Sequence, residues 1–238
     1  MYKIALNAGH YIGTAGKRCL KALDKNETRE WTLNNRICDK VEKLLADYNG
    51  YTLLRVDDTT GKTDVSILAR AKKANDFGAD VYISVHHNAG VGGGSGGGIM
   101  AYTYLRVDEK TKNIQKLLYN NLIAKTGLKG NRANPLASAD LGECRLTKMP
   151  AVLLECGFMD SKTDVPIILT DDFADKCAAA IVEALVSLGS LTKKAAEAPV
   201  PSQKLYRVQV GAYRNEANAK SVVKTLAGIG IDAIIVKD

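Results

Sequence analysis

The chain contains only three histidines, and all three follow short apolar runs. Ile4-Ala5-Leu6 leads through Asn7-Ala8-Gly9 to His10, and Val81-Tyr82-Ile83-Ser84-Val85 leads to His86, His87 and Asn88. A third run, Ala151-Val152-Leu153-Leu154, ends on Glu155 and continues Cys156-Gly157-Phe158. Two neutral imidazoles and a carboxylate are the usual donors of a catalytic zinc ion, which takes three protein ligands and keeps a fourth position for water. The third ligand is open between Glu155 and Glu30, the latter in Glu27-Thr28-Arg29-Glu30-Trp31-Thr32-Leu33-Asn34. Glu30 suits a ligand at a helix start beside the first strand, and that choice leaves Glu155 for proton transfer. Helix first turns favour acids for electrostatic reasons alone, and Glu27 competes from three residues away. Glu155 is harder to explain without chemistry, because a carboxylate closing an apolar run is costly to bury unless paired or bound to a cation.

The elements around these residues follow from hydrophobic periodicity. Residues 2–6, 51–56, 81–85 and 151–154 are apolar runs bounded by polar or turn residues and are predicted as buried strands. Between them, apolar residues recur at spacings of three and four: Trp31, Ile37, Val41 and Leu45; Ile67, Ala71 and Ala74; Ile114, Leu118 and Leu122; Phe173, Cys177, Ala180, Ile181 and Ala184. Alternating strands and helices predict an α/β domain on a mostly parallel twisted sheet flanked by helices. Such sheets build their sites at the carboxyl ends of the strands, where His10, His86 and Glu155 fall.

Composition narrows the possibilities further. The 238 residues are 46% hydrophobic and 25% charged, which excludes a disordered or collagen-like chain. No run approaches the ~18 apolar residues of a membrane span, so membrane insertion is not expected. Met1-Tyr2-Lys3 passes directly into the first strand without a basic region, long apolar core or cleavage site. The expectation is therefore no signal peptide, synthesis in the cytoplasm, and release by some other agent if the protein works outside. A net charge of +7 favours polyanions, but the basic residues show no aromatic interleaving, zinc knuckle or helix-turn-helix spacing, so no nucleic-acid partner is expected. The five cysteines are scattered without a Cys-x-x-Cys pair, which indicates neither a disulfide framework nor a thiolate metal site. The glycine tract 90–98 leads into a strand rather than a helix and reads as a flexible loop, not a dinucleotide fingerprint; Gly61-Lys62-Thr63 lacks the upstream glycine of a phosphate loop. Asp57 and Arg70 read as ion-pairing residues that hold the sheet edge.

Residues 191–203 carry two prolines and little that could build a core, and are predicted to link a domain at 1–190 to a segment at 204–238. That last segment is shorter than the roughly 40 residues below which isolated domains need a staple or partner.

In order and spacing, Asn7-Ala8-Gly9-His10, Glu30-x-x-x-Asn34, Ser84-Val85-His86-His87-Asn88-Ala89 and Met149-Pro150-Ala151-Val152-Leu153-Leu154-Glu155-Cys156-Gly157-Phe158 resemble the zinc-dependent N-acetylmuramoyl-L-alanine amidases of the amidase-3 type, over essentially residues 1–188. The resemblance implies one zinc ion per chain held by His10, Glu30 and His86, with Glu155 as the catalytic acid/base. It also implies hydrolysis of the amide between N-acetylmuramic acid and the L-alanine of the peptidoglycan stem peptide. His87 stays outside the metal shell, since strand alternation turns it away from His86. Two features depart from the pattern: Asn7 stands where family members often carry Asp, and Glu27 competes with Glu30.

The tail resembles the first half of a SPOR domain, a small peptidoglycan-binding module: an alternating strand over 205–213, a helix, and a second strand ending near Val236. The missing half implies a longer chain, completion by a second copy, or loss of glycan binding. The partners expected are peptidoglycan and, through the positive charge, anionic wall polymers, in an endolysin-like setting of phage or prophage origin. The competing readings are a zinc peptidase cutting within the stem, a non-catalytic wall-binding protein and a nucleic-acid-binding protein.

Overall fold

The apolar runs and helical stripes appear in the structure, a computed structural model that describes residues 1–195 and 208–236. In chain order the elements are β1 (Tyr2–Ala8), α1 (Glu30–Leu45), β2 (Tyr48–Asn49), β3 (Tyr51–Arg55), α2 (Ile67–Phe77), β4 (Val81–Asn88), β5 (Ile99–Thr103) and α3 (Glu109–Thr126). They continue as β6 (Leu136–Ser138), α4 (Gly142–Arg145), β7 (Ala151–Phe158), α5 (Val165–Ile168), α6 (Asp171–Gly189), β8 (Thr192–Lys193) and α7 (Glu216–Ala227). Contacts divide the chain into Met1–Lys194 and Ala195–Asp238.

The first unit is an α/β domain on a six-stranded sheet in the order β3-β1-β4-β7-β5-β6, in which only the β5–β7 pairing is antiparallel. The period of two along each strand separates two cores. Ile4, Leu6, Val81, Ile83, Val85, Val152 and Leu154 pack with the apolar stripes of α1, α3 and α6. Ala5, Tyr82, Ala151 and Leu153 face the other way, with Ala74 of α2 and Cys144 of α4. The sheet is thus buried on both faces, as the continuous apolar runs require. Helices α2, α3 and α6 begin at polar caps: Ser66, Asp108 and Thr170 accept the free N–H groups of Ala69, Thr111 and Phe173.

Two central pairings place the strand ends side by side. Ala8 is level with Val85 on β4, and His86 is level with Glu155 on β7. Beyond that pair β7 carries an extra residue, so Asn88 meets Phe158. Gly157 sits in this irregularity at φ +105°, where a side chain would be strained.

The chain stays with the first unit past 190. Leu191 is buried in the main core, and β8 pairs antiparallel with β2. The rest of the expected linker, 196–203, lies outside the described residues. In the second unit the helix forms, capped by Asn215 on the Ala217 N–H. The two strands expected there are not formed among the described residues: 208–213 and 231–236 are unpaired, with Val208, Ile231 and Ile234 exposed. Alternation gives a segment one apolar face but no neighbouring edge for its backbone N–H and C=O groups, and two short segments beside one helix bury too little to compensate.

All five cysteines are free and buried, and among the described residues no helix is long and apolar enough to cross a membrane. The glycine tract is fastened at several points rather than loose. Asp160 accepts the N–H groups of Gly90, Val91 and Gly92, and Asp164 accepts that of Gly98.

Candidate metal centre

His10 lies just beyond β1, and its backbone turns at φ +66°, a strained value for a residue with a side chain. Arg70, on α2 and 2% exposed, holds that turn in place: it donates to the carbonyls of Ala8, His10 and Val65 and to the Asn7 side chain. Its partners are therefore carbonyls and an amide, not the ion pair expected from sequence. Asp57 does form one, with Arg55.

Glu30 opens α1 at the end of the sheet and is 1% exposed. Its Oε1 is 3.3 Å from His10 Nε2 and 3.1 Å from His86 Nδ1. One ligand atom from each of His10, Glu30 and His86 lies within 4.8 Å of the other two. Glu27, the competing acid, is turned away at φ 48° and pairs with Arg18 and Lys21. His87 points to α1, where its Nδ1 is 2.8 Å from Asn34 Oδ1. Burial lowers the His87 pKa to about 3, so the ring is neutral. The same Asn34 amide donates to the Gly9 carbonyl, so one helical turn carries both Glu30 and the residue that ties β1 to β4.

The donor atoms fit a metal ion. Two imidazole nitrogens and a carboxylate oxygen converge, and the second carboxylate oxygen, Glu30 Oε2, is buried without a hydrogen-bond partner. Gly9 makes the convergence possible, since a Cβ there would stand 2.1 Å from His86 Cε1 and 2.3 Å from Nε2. Burial opposes charge on Glu30, but the two histidines around it lower its pKa strongly. Burial likewise opposes charge on His86, yet Glu143 and Glu30 outweigh it and raise the ring to about 10. A divalent cation would take the place of that proton.

Glu155 stands on the strand beside His86, on the same face. Its Oε2 is buried and unpartnered. Burial raises its carboxyl to about 7, close to the pH at which a group both takes and returns a proton.

Sequence reasoning assigned no role to Asn34 or Glu143. Asn34 was findable, being one helical turn from Glu30. Glu143, on the short α4 and 5% exposed, carries no local signal that distinguishes it from a surface acid.

Comparisons with known proteins point to one family. Residues 4–187 match the amidase-3 family, described as N-acetylmuramoyl-L-alanine amidase, and residues 202–238 match the SPOR domain. The chain is 29% identical over 238 residues to the N-acetylmuramoyl-L-alanine amidase CwlM of Bacillus licheniformis, covering 99% of this chain and 85% of that protein. It is 33% identical over 193 residues to the endolysin of Bacillus phage SPP1, covering 79% of this chain and 66% of that protein. Among solved structures, the catalytic domain of the amidase CwlV from Bacillus (Paenibacillus) polymyxa superposes with a TM-score of 0.71 at 21% identity, over 81% of this chain and 100% of that one.

Proposed function

The chain belongs to the amidase-3 family of N-acetylmuramoyl-L-alanine amidases, and from that membership and the geometry of the site we propose that His10, Glu30 and His86 hold one zinc ion while Glu155 moves the proton. The protein is a peptidoglycan hydrolase that cuts the amide between N-acetylmuramic acid and L-alanine, and it acts on the cell wall. When bound, zinc supplies Lewis acidity at the scissile carbonyl and acidifies water to near neutrality.

The protein's own groups do the rest. Glu155, whose carboxyl burial raises to about 7, accepts the proton of the attacking water at its unpartnered Oε2. As the C–N bond breaks it returns that proton to the leaving nitrogen, which becomes the free amine of the stem peptide's L-alanine. The lactyl carbonyl keeps the water oxygen, and the acid so formed gives up the water's second proton to solvent and remains on the sugar as a carboxylate. Asn34 and Arg70 keep the strand ends in register by pairing the carbonyls of Gly9, Ala8 and His10. The observation that carries the reading is the convergence of two imidazoles and a buried carboxylate next to a second carboxylate whose Oε2 has no partner.

The test is digestion of purified cell walls by the protein as isolated, after chelation and after zinc is restored, scoring new N-terminal alanine. Chelator-sensitive release of alanine amines is expected, and Glu155→Ala should abolish it while still binding zinc. Other new termini would move the scissile bond into the stem, and wall binding without clearing would leave a targeting protein.

A further inference from the structure

We propose that Glu143 is the positioning residue of this metal centre, a buried carboxylate that orients the His86 imidazole from the side opposite the metal. The inference rests on the zinc reading above. The two nitrogens of His86 face different partners: Nδ1 meets Glu30 at 3.1 Å, and Nε2 faces Glu143 Oε1 at 3.7 Å. That second distance is ion-pair reach, roughly half an ångström beyond a hydrogen bond. Nε2 is buried with no hydrogen-bond partner. A metal-bound histidine normally gives its remaining N–H to a carboxylate or carbonyl, which selects the tautomer and holds the ring. Glu143 is placed for that role.

Glu143 is itself held. Asn7 Nδ2 donates to its Oε2 at 3.1 Å, and the Tyr82 hydroxyl lies 3.4 Å away. On the other side, Asn7 Oδ1 accepts from Arg70 at 2.6 Å. Arg can only donate and an ionised Glu can only accept, so the orientation of the Asn7 amide is settled. Arg70, Asn7, Glu143 and His86 thus form one continuous polar chain running from α2 through β1 and α4 to β4.

The chain also accounts for an amide at position 7. An aspartate at position 7 would set a second carboxylate against Glu143, and two carboxylates in one buried site cannot both stay ionised. With Glu143 present, an amide is the side chain that satisfies both neighbours, so the buried negative charge sits at 143 instead of 7.

Zinc affinity, measured by competition with a chromophoric chelator, tests the proposal alongside the melting temperature of the metal-free protein. Wild type should bind one zinc per chain. Glu143→Gln should keep its fold and bind zinc about 10–100-fold more weakly. Asn7→Asp should melt lower than wild type, and Asn7→Asp combined with Glu143→Gln should recover that loss while zinc binding stays weak. If Glu143→Gln alone does not fold, the double variant decides. Wild-type zinc affinity in the folded variants overturns the positioning role, whereas failure of the wild type to bind zinc overturns the metal centre itself.

Discussion

Gly9→Ala isolates the role of close packing at the metal centre. A Cβ at position 9 would lie 2.1 Å from His86 Cε1, 2.3 Å from Nε2 and 2.4 Å from Nδ1, whereas ordinary contact begins at 3.4 Å. Something must therefore yield by about 1 Å, the scale at which misplaced groups cost about 100-fold in rate. The backbone cannot easily do so. The Gly9 N–H is bound to the Val85 carbonyl at 2.9 Å and its carbonyl to Asn34 at 3.1 Å, so both sides of the peptide are tied to neighbouring elements. Position 9 is also not among the positive-φ glycines, so alanine adds no backbone strain there. The burden falls on the His86 ring, which must leave Glu30. Overpacking of this kind costs about 1–3 kcal/mol, or roughly 2–12 °C in melting temperature for a domain of this size. Amide hydrolysis should fall about 100-fold or more, with zinc affinity falling alongside it. Differential scanning fluorimetry, chelator competition and the alanine-release assay measure the three effects. A Gly9→Ala protein with wild-type zinc affinity and activity would show that the ring is not confined as argued.

Other perturbations separate the remaining parts of the site. Without metal, His86, raised to about 10, contributes stability that is complete below its unfolded value near 6.5 and is lost as pH rises toward 10. Glu143, lowered to about 2, contributes stability present above its unfolded value near 4.5 and lost as pH falls toward 2. Melting temperature in chelator should therefore peak between about pH 4.5 and 6.5, and a flat profile from pH 4 to 9 would contradict the assignment. In the proposed centre zinc displaces the His86 proton, so its affinity should rise on the order of tenfold per pH unit below pH 10 with proton release on binding; isothermal titration in buffers of different ionisation enthalpy counts that proton. Arg70→Met leaves the carbonyls of Ala8, His10 and Val65 buried without their donor. It should cost about 3 kcal/mol or more, read by urea denaturation, and a loss under 1 kcal/mol would refute the anchoring role.

Much of this protein was legible in one dimension because the signals are local. Periods of two and of three to four residues depend only on which neighbours share a face, so β1, β4, β7 and the stripes of α1, α3 and α6 could be read directly, and with them the parallel sheet. Placement of His10, His86 and Glu155 at strand ends followed, because a parallel α/β sheet opens at its carboxyl edge. The choice between Glu27 and Glu30 was not local. Both acids lie around the start of the same helix, and only the turn at Glu27 and the start of α1 at Glu30 aim one at Arg18 and the other at the two imidazoles. Arg70 was misread as an ion-pairing residue because sequence shows a charge but not that the elements around it present carbonyls. Alternation over the described tail residues, 208–213 and 231–236, is not matched by strand pairing, since pairing depends on an edge that no single segment contains. Glu143 was invisible for the same physical reason: it meets Asn7 across 136 residues of chain, and long-range contacts between polar side chains leave no periodicity. Local patterns determined the elements and the strand ends that carry the chemistry, while the packing of α1, α2 and α4 around those ends decided which acids and amides surround them.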